Sequence, residues 1–417
     1  MLWAKDLNEE LIEKILKTEE KITEKRKEIQ EIALFNQQKV LKAFQKQNVA
    51  ATDFLASTGY GYDDIGREKL DLIYAESFGA QKALVRPQIV SGTHALATAL
   101  FGVLKPGDEL LYITGEPYDT MLEVIGLTGD GRGSLKELGI SYDYVPLNTT
   151  GTVDLARTKE KINDKTKVVA IQRSRGYAGR PSFTIEEIRK LIEDIRSYNK
   201  DVIIFIDNCY GEFAEELEPT QVGADLMAGS LIKNPGGGIA KTGGYIAGKA
   251  ELVDACATRL TIAGVGALGG AMGSNTYDFF QGFFLAPHAV SQAIQGAVFA
   301  AALLEEYGLT SSPSWQARRT DLIQTIELGN KEAMIKFCQT IQRYSPIDSN
   351  VSPVPATMPG YTDPIIMAAG AFVEGSTMEL SVDGPIREPY RLFLQGGLTY
   401  EHVKLAVTQA LQEIFYS

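Results

Sequence analysis

Two lysines, Lys233 and Lys241, flank a run of glycines in SLIKNPGGGIAKTGGYIAG, residues 230–248. A lysine beside glycine-rich backbone can serve two chemistries. It can help cradle the phosphates of a nucleotide, or it can hold a carbonyl cofactor through its amine. The nucleotide loop requires G-x-x-x-x-G-K-[ST] after a strand and before a helix. Ending that pattern at Lys241–Thr242 puts Pro235 and Ala240 where both glycines belong, and the following GGYIAG reads as a strand. The nucleotide reading therefore fails on the residues themselves.

The second reading finds its parts elsewhere in the chain. A pyridoxal-phosphate site needs a lysine for the Schiff base and an acid to keep the pyridine nitrogen protonated. It also needs backbone N–H groups at a helix start, with small hydroxyls, for the phosphate. SGTHALATAL places Ser91, Gly92 and Thr93 at a turn opening a helix, a seat for phosphate. TGEPYDT follows the apolar LLYI and brings Tyr118 to a strand's carboxyl end, where an aromatic could cover a ring. VIIFIDNCYGEF ends its apolar strand on Asp207, and a buried acid is costly without a polar partner. DLMAGSLIK closes the next strand with Ser230, three residues before Lys233.

At these positions the sequence resembles the fold-type-I pyridoxal-phosphate enzymes of cysteine and methionine metabolism. The nearest branch is the one labelled methionine γ-lyase-like, aluminium-resistance or cystathionine β-lyase. The resemblance spans about residues 50–417 and rests on SGTHA, on DN-x-Y after an apolar strand, and on S-x-x-K followed by glycines and a GG-led strand. It implies that Lys233 carries pyridoxal 5'-phosphate and removes the substrate's Cα proton, while Asp207 holds the pyridinium. It implies that Ser91, Gly92, Thr93 and Ser230 surround the phosphate and that Tyr118 stacks on the ring and protonates a leaving sulfur. Arg391, in RLFLQGGL, would grip the substrate carboxylate, with Arg387, Arg173 and Arg175 as competing candidates. The Tyr-x-Arg by which γ-lyases reach a neighbouring subunit's phosphate has no counterpart in STGYGYDD, so Tyr60 or Tyr62 would substitute. Ile232, just before Lys233, stands where those lyases often carry a hydroxyl.

The activity so implied is a carbon–sulfur lyase acting on cystathionine, methionine or a relative by β- or γ-elimination. An aminotransferase using the same lysine and aspartate, or a non-catalytic cofactor-binding sensor, are the alternatives. A homodimer or homotetramer with its active site at the interface is expected from the same resemblance. His94 reads as a packed helix-start residue, Cys209 as a small buried filler, and GVGALGGAMG (264–273) as a flexible or closely packed loop.

These residues need a scaffold. Short apolar runs at 108–114, 142–147, 167–172, 201–207, 225–231 and 244–249 alternate with helix patterns, notably 184–198, where Thr184 and Glu187 form a capping box. Such alternation indicates an α/β fold with a mostly parallel sheet and flanking helices, which binds ligands beyond the carboxyl ends of its strands, and the family resemblance implies that the sheet is of the seven-stranded type. A helical arm is expected over 1–50, with one helix from 6 to 47 capped by Asp6 and Glu9. The large cofactor-binding domain is expected over 51–290, and a smaller C-terminal α+β domain over 291–417. In the latter, helices near 288–306 and 314–344 precede a proline-rich crossing at 346–364, strands around 365–382 and 390–394, and a last helix from about 400.

Composition narrows the field further. The 417 residues are 44% hydrophobic with a formal net charge of −12, enough for a large core and unfavourable to nucleic-acid partners. No window approaches 18 unbroken apolar residues, so no membrane span is expected. Three scattered cysteines and three histidines give no metal spacing and suit a reducing, cytoplasmic setting.

Overall fold

A computed structural model describes residues 2–357 and 363–416, so part of the proline-rich crossing at 346–364 lies outside the described residues. The chain packs as two compact units, one of Asn36–Phe284 and one combining Met1–Phe35 with Leu285–Ser417. Two helices open it, α1 (Glu9–Lys21) and α2 (Thr23–Lys46), where one continuous helix was expected. Asn8, not Asp6, caps α1 by accepting the Glu10 N–H at 2.9 Å, and Glu9 already lies in the first turn. The expected arm is divided between the units. Leu11, Ile15 and Ile22 bury in the C-terminal unit, whereas Asn36 donates to the carbonyls of Phe213 and Glu215 in the larger one.

The larger unit then alternates helix and strand. Its elements are α3 (Ile65–Phe78), β1 (Lys82–Arg86), α4 (Gly92–Val103), β2 (Glu109–Tyr112), α5 (Asp119–Ile125), β3 (Ser141–Tyr144) and α6 (Leu155–Lys161). There follow β4 (Thr166–Gln172), α7 (Ile185–Tyr198), β5 (Ile203–Asp207), β6 (Leu226–Ser230), β7 (Gly244–Gly248) and α8 (Ala250–Leu260). The seven strands form one sheet in the order β1-β7-β6-β5-β4-β2-β3. Pairing is parallel from β6 through β3, while β7 runs antiparallel to both β1 and β6. Leu96, Leu100, Leu110, Val168, Phe205, Leu226 and Ile246 share one buried cluster with residues of α4 and α8. Each such side chain contributes about 1.5–3 kcal/mol on burial. The Thr184–Glu187 capping box opens α7, whose Ile188, Leu191, Ile192 and Ile195 are buried.

Parallel pairing has one consequence for chemistry. Gln172 of β4 lies opposite Asp207 of β5, and β6 ends beside them on Ser230. Adjacent strands lie about 5 Å apart, so Gln172 and Asp207 close their strands side by side, and β6 runs two residues past Ala228, the partner of Asp207, to end on Ser230.

In the C-terminal unit, α9 (Asn275–Glu305) carries the chain across the division with Pro287 in its interior. It is followed by β8 (Thr310–Ser312), β9 (Gln324–Glu327), α10 (Lys331–Arg343), β10 (Ile365–Ala368), β11 (Ser381–Pro385), β12 (Arg391–Gln395) and α11 (Tyr400–Tyr416). The five strands are all antiparallel, in the order β10-β11-β12-β9-β8. The helix expected over 314–344 therefore starts only at Lys331. Gln324–Glu327 are drawn into the sheet between β8 and β12, Gly329 turns the chain at a φ of 75°, and Asn330 caps α10. Among the described residues no helix is long and apolar enough to cross a membrane.

Candidate active site

A cavity of about 260 Å³ opens at the carboxyl ends of β4, β5 and β6. Its walls include Gly92, Thr93, Tyr118, Asp207, Ser230 and Lys233, six residues from four separate stretches of the chain. Gln172, Ser174, Gly176, Tyr177, Cys209, Tyr210 and Ile232 complete it.

One wall is the start of α4. Ser91 caps that helix, its Oγ accepting the His94 N–H at 3.0 Å, so this hydroxyl is spent on the helix and Ser91 is absent from the cavity wall. The N–H groups of the first turn have no partner within the helix and form a ready anion seat. Gly92 leaves that seat open, because a Cβ there would stand 3.3 Å from Ser230 Cβ and 3.4 Å from Cys209 Sγ. Ser230 Oγ is buried with no hydrogen-bond partner, a polar atom that an incoming phosphate oxygen would satisfy. Thr93 Oγ1 lies 3.0 Å from the Tyr118 hydroxyl and 3.2 Å from Thr120 Oγ1, which fixes the direction of the Tyr118 ring. His94 Nδ1 accepts the Val90 N–H at 3.1 Å, and burial pulls the imidazole below its ordinary pKa, so it sits neutral at the helix start.

The floor is the turn after β5. Asp207 Oδ1 accepts the Cys209 N–H at 3.1 Å. Burial raises the Asp207 pKa, and the nearby Lys233 ammonium opposes that rise. Lys233 answers to the same balance. Burial lowers its pKa, but electrostatic interaction with Cys209, Tyr210, Asp207 and Glu212 outweighs burial and raises it, which favours the ammonium. Burial pushes the Tyr118 hydroxyl far above the ordinary phenol range, with Asp207 adding to it, so Tyr118 stays a proton donor at neutral pH.

Below the floor runs a buried polar network. Arg173, fully buried, donates to Asn208 Oδ1 at 2.9 Å and to Glu215 Oε1 at 3.2 Å, and lies 3.7 Å from Glu218. Asn208 in turn donates to Glu218 at 3.0 Å and to the Tyr245 hydroxyl at 3.3 Å, and that hydroxyl donates to Glu212 at 2.7 Å. Arg173 is thus committed to the network and is no candidate for a substrate carboxylate. Arg175 is also buried, while Arg387 is exposed and pairs with Asp363 at 3.1 Å. Arg391 sits on β12 in the C-terminal unit, where Glu327, its register partner on β9, accepts from Nε at 3.1 Å and from Nη2 at 2.6 Å.

Tyr60 and Tyr62 are outside the cavity wall. They stack on each other with centroids 5.7 Å apart and face outward, Tyr60 being 80% exposed. Their loop is firmly held nonetheless. Buried Arg67 donates to the carbonyls of Gly61, Gly270 and Leu268, which ties it to the glycine-rich 264–273 segment. Lys241 lies on the surface, paired with Asp278 at 3.0 Å.

Sequence reasoning gave no role to Gln172, Ser174, Tyr177 or Tyr210. Gln172 had a legible signal, since it closes an apolar strand as Asp207 does. Tyr210 had a weaker one, within DN-x-Y. Ser174 and Tyr177 lie in an irregular loop with no pattern to read.

This sheet order, with a lysine, an acid, a helix start and an orphaned hydroxyl around one cavity, defines a fold-type-I pyridoxal-phosphate protein. The sequence matches the methionine gamma-lyase family over residues 11–415, and the chain belongs to that family. Its cofactor is pyridoxal 5'-phosphate. The chain is 57% identical to a proposed cystathionine beta-lyase involved in aluminum resistance from Listeria monocytogenes, with a TM-score of 0.95 over 96% of this chain and 99% of that one. It is 45% identical to a carbon-sulfur lyase involved in aluminum resistance from Clostridium novyi, with a TM-score of 0.94 over 98% and 96% of the two chains. A pyridoxal-5'-phosphate dependent protein from Escherichia coli, at 16% identity and a TM-score of 0.62 over 93% and 97%, shares the fold.

Two outcomes are expected from the buried network. Arg173→Met leaves Glu215 and Glu218 as buried acids without their cation, which should cost about 3–5 kcal/mol in urea unfolding; an unchanged midpoint with only a raised KM would contradict this placement. Burial pushes the Glu212 pKa from an ordinary 4.5 up to about 8. The folded state therefore binds that proton more tightly than the unfolded state does, and the resulting stability is full below pH 4.5 and lost as pH rises through 8. Glu212→Gln should flatten that decline in denaturation midpoints measured across the window, whereas an equal decline in both proteins would contradict it.

Proposed function

We propose that this protein is a carbon–sulfur lyase that cleaves the β or γ C–S bond of a sulfur-containing amino acid such as cystathionine, methionine or a relative. The observation that carries the reading is the convergence of Lys233, Asp207, Ser230, Thr93 and Tyr118 on one cavity at the sheet's carboxyl edge. The names of the two similar lyases favour this reaction over an aminotransferase that would use the same lysine and acid.

The bound cofactor supplies an electron sink for negative charge at the substrate Cα. The residues divide the remaining work. The N–H groups of Gly92 and Thr93, with Ser230 Oγ, bind phosphate at the start of α4. Asp207, oriented by the Cys209 N–H, favours a cation at the ring nitrogen. Lys233 anchors the cofactor covalently, and its freed amine takes the Cα proton at Nζ. Tyr118, aimed by Thr93 and kept protonated by burial, gives its proton to the leaving sulfur. Arg391, which pairs with Glu327 and is not among the residues lining the cavity, is the candidate for the substrate carboxylate on the family resemblance alone. A second copy of the chain completes the site, Tyr60 and Tyr62 being held outward on a loop anchored by Arg67.

The decisive experiment pairs visible absorbance with product assay. Purified protein should carry a visible band that Lys233→Ala abolishes and Lys241→Ala retains. Tyr118→Phe should keep the band but release pyruvate or 2-oxobutyrate about 10²-fold more slowly. Release of keto acid and thiol without an added amino acceptor identifies the lyase, and a strict requirement for an acceptor would overturn it. Sedimentation at assay concentration should give a dimer or larger, and a fully active monomer would refute the shared site.

A further inference from the structure

We propose that Tyr210 is the positioning residue for the amine of Lys233, the face of its ring holding the free ammonium at the edge of the cofactor cavity. The inference rests on Lys233 being the cofactor-bearing lysine, and it adds a residue to which no role has been given.

The geometry is specific. Lys233 Nζ lies 3.9 Å from the centroid of the Tyr210 ring, well inside the range of a cation–π contact. Tyr210 has a φ of 72°, a left-handed conformation that a bulky side chain does not adopt by preference. Something must therefore hold it. Asn234, the residue after Lys233, donates through Nδ2 to the carbonyls of both Tyr210 and Glu212 at 2.9 Å. One asparagine thus fastens the backbone that carries the ring to the backbone that carries the amine. The strained turn and the lysine are built as one unit.

The chemistry explains what such a contact does. To condense with an aldehyde, the ammonium first releases a proton to solvent. Its nitrogen then bonds to the aldehyde carbon, and the aldehyde oxygen departs as water. A ring face stabilises the cation but accepts no proton. It holds the amine in place while it is charged, and it raises the pH at which the amine becomes reactive. The titratable groups that face Lys233 are Cys209, the Tyr210 hydroxyl and Glu212 from the turn after β5 and Asp207 from β5, with Tyr118 and Tyr177 in the cavity wall. All but the Tyr210 hydroxyl remain when the ring is removed, and Tyr210→Phe removes that hydroxyl alone.

The test uses cofactor-free, full-length protein titrated with pyridoxal 5'-phosphate across pH. Visible absorbance follows attachment, and borohydride reduction followed by peptide mapping identifies the lysine. Tyr210→Phe keeps the ring face, and its pH midpoint should coincide with that of the parent protein. Tyr210→Gly removes the ring and suits the left-handed backbone, so the fold is spared. Its midpoint should move about one pH unit toward acid, equivalent to about a tenfold change in the amine's proton affinity. Tyr210→Leu, which refills the space without a π face, should shift the same way. With the label on Lys233, an unmoved midpoint in the Gly and Leu variants overturns the proposal, as does a Phe variant that shifts as far as they do. A label on another lysine overturns the Lys233 assignment itself, and this proposal with it.

Discussion

A fully buried guanidinium, Arg173, governs the arrangement of this site. Removing a positive charge from water costs several kcal/mol unless hydrogen bonds and opposite charge replace the solvent. Here Asn208, Glu215 and Glu218 do so, and all three belong to the turn that follows β5. Satisfying Arg173 therefore dictates the path of that turn. The path is not a relaxed one, since Tyr210 and Phe213 both have left-handed backbones that cost about 1–3 kcal/mol each. Glu218 also accepts the Phe213 N–H at 2.8 Å, so the charge network and the strained backbone share an anchor.

That constraint propagates upward to the cavity. Asp207 enters the turn, Cys209 orients its carboxylate, and Tyr210 carries its ring beneath the Lys233 amine. On the neighbouring strand Ser230 is left with an unpartnered hydroxyl, facing a helix start that Gly92 keeps open. The sheet contributes by topology. Parallel β4, β5 and β6 must all end on the same edge, so the polar residues that close them are delivered together. Antiparallel β7 then returns the chain, and its Tyr245 joins the network from the other side of β6.

Much of this was legible in the chain. Apolar runs ending on Asp207 and Ser230 announced strands with polar ends. Thr184 and Glu187 announced the start of α7, and Pro235 with Ala240 removed the nucleotide loop from consideration. The misreadings have physical causes. Asp6 and Asn8 are both good caps, and the choice between them depends on where the first turn packs. Residues 322–328 hold enough apolar side chains to suit a helix, but pairing with β8 and β12 makes them a strand. The division between the two units falls within α2, between Phe35 and Asn36, a partition that no local period encodes.

The sequence by itself determined the chemistry of the parts: a lysine, an acid closing a strand, a hydroxyl, and a glycine opening a helix. Residue type and strand-end position carry that information locally. Tertiary structure alone decided the partners. It committed Arg173 to a buried network, paired Arg391 with Glu327, and brought the Tyr210 ring against Lys233. Burial makes an unpaired charge costly, and for Arg173 and Lys233 the partners nearest in space are distant in the chain.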